Sequence, residues 1–110
     1  MDTKHDVSLV GMHLGWLGDK CWAVKTIIEC GDYSDAQLVR GEIPRSIIRP
    51  VEDSTIYSGL KWQVVLVFPI YRASDYKKFE RVGKRIVELT GDSVAYKSVL
   101  CELSDTLTAI

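Results

Sequence analysis

The sequence predicts one α+β domain over residues 1–110, a four-stranded mixed sheet with two helices packed on it. Three observations predict it. Residues 60–72, LKWQVVLVFPIYR, are apolar on one strand parity throughout and on the other from Val65 onward. That is the pattern of a central strand covered on both faces. Residues 6–30 hold two alternating stretches around a Gly-Asp turn, the pattern of a hairpin. Residues 75–90 place apolar side chains every three to four positions, the pattern of a helix lying on a core. With 46% apolar and 26% charged residues, the composition is that of a folded chain rather than a disordered one.

In chain order, Val10, Met12, Leu14 and Trp16 share one face of the first strand, with Ser8 departing from it. Val7, Leu9, Gly11, His13 and Gly15 share the other. A hairpin closing at Gly18-Asp19 sets Trp16 opposite Cys21 and His13 opposite Val24 in a second strand, Cys21 to Cys30. Ser34 and Gln37 form a capping-box pattern for a short helix from Asp35 to about Glu42, which Gly41 and Pro44 limit. Residues 43–59 hold two prolines and many turn formers, and read as an irregular connection with local pairing around Ile47-Ile48 or Thr55 to Tyr57. Pro69 removes a ladder donor, so the strand there bends, bulges or runs along an edge. Ser74 caps the helix 75–90, whose stripe is Tyr76, Phe79, Val82, Ile86, Val87 and Leu89. Gly83 inside it signals close packing or mere tolerance, and Gly91 takes the C′ position. Residues 94–103, VAYKSVLCEL, read as a last strand. With 60–72 they form a β-α-β unit, and the sheet is mixed for that reason.

The chemistry-bearing residues exclude more than they suggest. No GxGxxG, GxxxxGK[ST], GxSxG or HExxH is present. Cys21, Cys30 and Cys101 are an odd set without CxxC, and read as buried reduced thiols rather than a disulfide framework or zinc site. Cys30, at a strand end beside Gly31-Asp32, reads as the most exposable of them. His5 and His13 have no ligand partner at metal spacing. The expectation is therefore a non-enzymatic protein with no cofactor and no metal.

Two features point to binding. Arg72, Lys77, Lys78, Arg81, Lys84 and Arg85 cluster on and just before the helix 75–90. A net charge of −1 gives the whole chain no attraction to polyanions, so this local patch is where nucleic acid, phosphate or anionic headgroups would bind. The bland alternative is a solvated face with Glu80–Lys84 and Lys84–Glu88 pairs. Trp16, Trp22, Tyr57, Trp62 and Tyr71 supply aromatic surface for a protein partner or for a homo-oligomer. No apolar run reaches the roughly 18 residues of a membrane span. The polar start MDTKHDVS lacks a signal peptide, so the expected location is cytoplasmic or nuclear, not secreted.

The order AVKTIIECGDYSDAQLV (23–39), IYSG (56–59) and LKWQVVLVFPIYRAS (60–74) resembles the core of rhabdovirus matrix proteins. Those carry a strand with a VK-type start, a short polar turn and helix, then Tyr-x-Gly and an apolar segment. The matching residues here are Tyr57 and Gly59, with the spacing around them. In that family the apolar segment is helical, whereas the alternation here reads as a strand. The resemblance implies a viral protein that self-associates and meets membrane and nucleocapsid through basic residues such as Lys77, Lys78 and Arg81.

Overall fold

The computed structural model describes residues 6–18, 21–52 and 60–108. Its elements are β1 (Val7–Leu17), β2 (Cys21–Cys30), α1 (Tyr33–Glu42), β3 (Ile47–Glu52), β4 (Leu60–Ile70), α2 (Ser74–Thr90) and α3 (Val94–Thr108). The strands form one sheet in the order β1-β2-β4-β3, antiparallel at every step. The fold is α+β, as expected, but among the described residues the sheet is not mixed, and three helices accompany it rather than two.

The difference lies in residues 94–103, which are helical. Tyr96, Val99 and Leu103 recur at helical spacing and are all buried in the core. Asp92 Oδ1 accepts from the Val94 N–H at 3.1 Å, and Lys97 N–H donates to Ser93 O, so the helix has its starting contacts. Over a short apolar run the strand and helix periods compete, and the second period won. With that strand gone, the expected unit of 60–103 dissolves. A different strand–helix–strand unit stands in its place. β2 and β3 run in the same direction, joined through α1, and β4 lies between them antiparallel to both.

One sheet face packs on the helices. Val24, Ile28 and Cys30 of β2 and Val64, Leu66 and Ile70 of β4 form one core with Ala36, Val39 and Ile43, Phe79 and Ile86, and Tyr96, Val99 and Leu103. The two-layer arrangement explains a molecule of 48 × 32 × 21 Å. β4 is thus central along part of its length but covered on one face only. The other face shows Ile47 and Val67 to solvent.

The hairpin register differs by one from expectation. Trp16 pairs with Trp22 and His13 with Lys25, while Leu17 faces Cys21. The register shifts between Leu9 and Gly11, leaving Val10 as the extra residue of a bulge. Val10 is exposed, while Val7 and Leu9 before it and Met12 and Leu14 after it pack on the core. The odd place of Ser8 in the alternation was the trace of this parity change.

The helix ends also correct their assigned caps. Asp32, not Ser34, caps α1, accepting from the Asp35 N–H at 2.8 Å. Ser74 lies inside α2 and caps nothing. Asp75 reaches back instead, accepting from the N–H groups of Tyr71 at 2.9 Å and Arg72 at 3.1 Å. Gly91 ends α2 at φ 73° with its N–H on Val87 O, the expected left-handed stop. The stripe of α2 faces inward as expected, with Phe79, Gly83 and Ile86 buried.

Candidate functional site: a basic cleft beside the half-edge of β4

β4 is longer than its neighbour. β3 pairs with it only over residues 60–65, ending at Ile47↔Val65, whereas β2 pairs with it from Trp62 to Ile70. Among the described residues, Leu66 to Ile70 therefore has no strand on the β3 side. Continuing the β3 register backward by two pairs would bring Arg45 against Val67. The chain turns away instead. Ile43-Pro44-Arg45-Ser46 is a tight turn closed by Ser46 N–H on Ile43 O at 3.3 Å and by Ser46 Oγ on the same carbonyl at 2.7 Å. Arg45 takes φ 68°, the third-position conformation for which glycine is the usual choice.

That turn leaves a cleft of about 540 Å³ between residues 44–45, the free half of β4 and the first turns of α2. Leu66, Val67, Phe68, Pro69 and Val82 give it an apolar floor. Among the described residues, Arg45, Arg72, Lys78 and Arg81 stand around it against one carboxylate, Asp75. Arg45, Arg72 and Arg81 are exposed and make no ion pair with a described residue, whereas Lys78 lies 3.7 Å from Asp75. Backbone N–H groups, that of Tyr71 foremost, hold the Asp75 carboxyl below the usual carboxylate range, and Lys78 and Arg72 add to it. Asp75 is thus ionised, and its carboxylate takes the two backbone N–H groups just before α2.

The expected basic patch divides. Arg72, Lys78 and Arg81 line the cleft; Lys77 and Lys84 are exposed outside it. Arg85 is turned to structural use, at 2.8 Å from Glu42 and 2.6 Å from Glu88, tying α2 to the end of α1. Lys84 makes no ion pair among the described residues, so the Glu80–Lys84 and Lys84–Glu88 pairs do not form. Arg45 was missed. Its signal was the Pro44-Arg45 pair, where turn chemistry favours glycine after proline.

The aromatic residues separate into two groups. Trp16 and Trp22 meet edge to face at 5.1 Å at the hairpin end, in the row that continues to Ile70; exposed Tyr71 follows Ile70 in the chain and lines the cleft. Trp62 is at the far end of β4, with the Tyr33 ring tilted against it at 4.7 Å between centroids. Tyr57, and with it the expected pairing of 55–57, lies outside the described residues, as does His5.

Cys21 and Cys30 are buried, as expected of reduced thiols, but the exposable one is not where the strand end suggested. Cys30 is 1% exposed, on the core face opposite Trp62, whereas Cys101 is the exposed one. His13 is exposed on the open face, over Gly11 and opposite Lys25, with no cysteine across from it. Among the described residues no three His, Cys, Asp or Glu side chains are grouped to hold a metal ion. No described helix is long and apolar enough to cross a membrane.

Fold and cleft together define a one-sided α+β sheet domain with a cationic notch at a strand edge. Comparison of the chain with protein-family models, with curated proteins and with solved structures finds no match.

Proposed function

We propose that this protein is a non-enzymatic binding domain that recognises a negatively charged partner through the cleft beside β4. The observation that carries this reading is the convergence of Arg45, Arg72, Lys78 and Arg81, from three separate segments, on one cleft with an apolar floor. Three of them, Arg45, Arg72 and Arg81, make no ion pair with a described residue, and cations so placed around a concavity suit an incoming anion, whereas cations on an open helix face are ordinarily solvated. The alternative of a nucleic-acid or phosphate module on the helix face would engage Lys77 and Lys84 equally.

A charge-matched pair of variants separates the two. R72E/R81E and K77E/K84E change the net charge by the same amount. Retention on immobilised heparin and affinity for polyglutamate at low salt are measured for both. The cleft variant loses binding and flattens the salt dependence, while the helix-back variant keeps both. Equal loss in the two variants removes the cleft from the reading. Light scattering on the same samples reports self-association.

A further inference from the structure

The half-edge of β4 specifies more than an anion. A proline in a ladder must turn its nitrogen away from the strand it pairs with, since it has no hydrogen to donate. Pro69 pairs with Ala23 of β2, so its nitrogen faces the side that β3 leaves open. Alternation then turns the N–H and C=O of Val67, and the C=O of Pro69, toward the cleft. Pro50 of β3, opposite Trp62, independently gives the same parity, because its nitrogen must face away from β4. Odd-numbered residues of β4 therefore bond toward the β3 side. Gln63 and Val65 have β3 partners there, and Val67 has none.

We infer that the partner is an acidic peptide segment in extended conformation, which adds to the sheet in line with β3 by pairing with Val67. This rests on the reading that the cleft binds anions. Three observations favour a peptide over a phosphate group. The cleft floor offers a backbone donor and two carbonyl acceptors, and a phosphate has nothing to give the carbonyls, whereas a strand supplies both kinds of group. The N–H groups of Tyr71 and Arg72, just before α2, are already taken by the Asp75 carboxylate, and those of Asp75 and Tyr76 in its first turn by the carbonyls of Arg72 and Ala73, so none of these four donors is left for a phosphate. The side-chain environment also alternates as a strand would require. Val67 is 43% exposed on the open sheet face, while Lys78 and Arg81 stand on the α2 side. An acidic–apolar–acidic alternation matches that order.

The test uses the intact protein, labelled with ¹⁵N, and a blocked peptide of alternating aspartate and valine at low salt. Saturable binding with a shift of the Val67 amide is expected. Methylating the backbone nitrogens of the peptide keeps its charge and should weaken binding roughly tenfold or more. A lysine–valine peptide should not bind. If the methylated peptide binds as well as the parent, strand addition is overturned and anion recognition stands. If inorganic phosphate binds and shifts the amides of Arg72 to Asp75 while the peptide does not bind, the site is a phosphate site and the inference fails alone. If neither peptide nor phosphate nor polyglutamate binds, the inference and the reading beneath it fail together.

Discussion

Gly83 of α2 and Tyr96 of α3 are in direct contact, and the aromatic ring occupies the space where a side chain at 83 would begin. A Cβ at Gly83 would overlap the ring edge, with Cδ1 at 2.6 Å and Cε1 closer still. The phenol then reaches the Glu80 carbonyl at 3.2 Å, so one tyrosine both fills the groove and ties α3 to the backbone of α2. Phe79 lies beside it, 6.4 Å between ring centroids, and continues the contact into the core.

Gly83→Ala should therefore destabilise the protein, although alanine is the better helix former. The helix gains about 1 kcal/mol in propensity, but overpacking a filled core costs about 1–3 kcal/mol. A net loss of roughly 1 kcal/mol in urea unfolding is expected. A gain in stability would mean that the ring yields freely.

Arg45→Gly should act in the opposite direction. A non-glycine residue in the left-handed region costs on the order of 1 kcal/mol, which glycine would recover. The same change removes a cation from the cleft. Higher thermal stability with weaker polyglutamate binding is the expected pair of results. Unchanged binding would show that Arg45 serves the turn alone.

Asp75→Asn tests the anchor of α2. The side chain accepts from two backbone N–H groups at the start of the helix, and losing a charged cap costs about 0.5–2 kcal/mol. Its folded-state pKa lies below the unfolded value, so its stabilisation is present above the ordinary carboxylate range and fades as pH falls through the lowered value. Unfolding free energies at neutral and acid pH should converge between wild type and D75N as pH falls. A constant gap would contradict the assignment.

The thiols make a chemical prediction. Burial pushes the Cys30 thiol up to about 11, and the Asp35 carboxylate, with Asp32, Asp6 and Glu29, adds to the shift. Near pH 8 iodoacetamide should label exposed Cys101 and leave Cys30, by mass spectrometry. Because the folded-state pKa is raised, this contribution to stability is complete below about pH 9 and is lost as pH rises toward about 11. Cys30→Ala should flatten the alkaline loss. An equal slope in wild type and C30A would refute it.

Thr26 sits between Met12 and Leu66 on the core face, fully buried, and its Oγ1 has no hydrogen-bond partner among the described residues. Thr26→Val removes an unsatisfied hydroxyl at nearly constant volume, so a gain of about 1 kcal/mol is expected in chemical denaturation. A loss would reveal a partner for the hydroxyl.

What the chain determined by itself is local. Alternation along 6–30 and 60–70, the three-to-four spacing of 75–90, and Gly91 as a helix stop each depend on neighbours in sequence. The missing N–H of Pro69 is local too, and allowed a bend, a bulge or an edge; the point where β3 stops decided for the edge. Residues 94–103 carry both periods within ten positions, and only the core, by accepting Tyr96, Val99 and Leu103 together, selected the helix. The bulge at Val10, the one-residue register of the hairpin and the burial of Cys30 were likewise settled by which face had to meet the helices. The cleft is tertiary altogether. Arg45 and Arg81 are far apart in sequence, and they share a site because β3 stops short of Val67 and the turn at Arg45 carries the chain away. No periodicity records where one strand outruns its neighbour, since that depends on how long two distant segments stay paired.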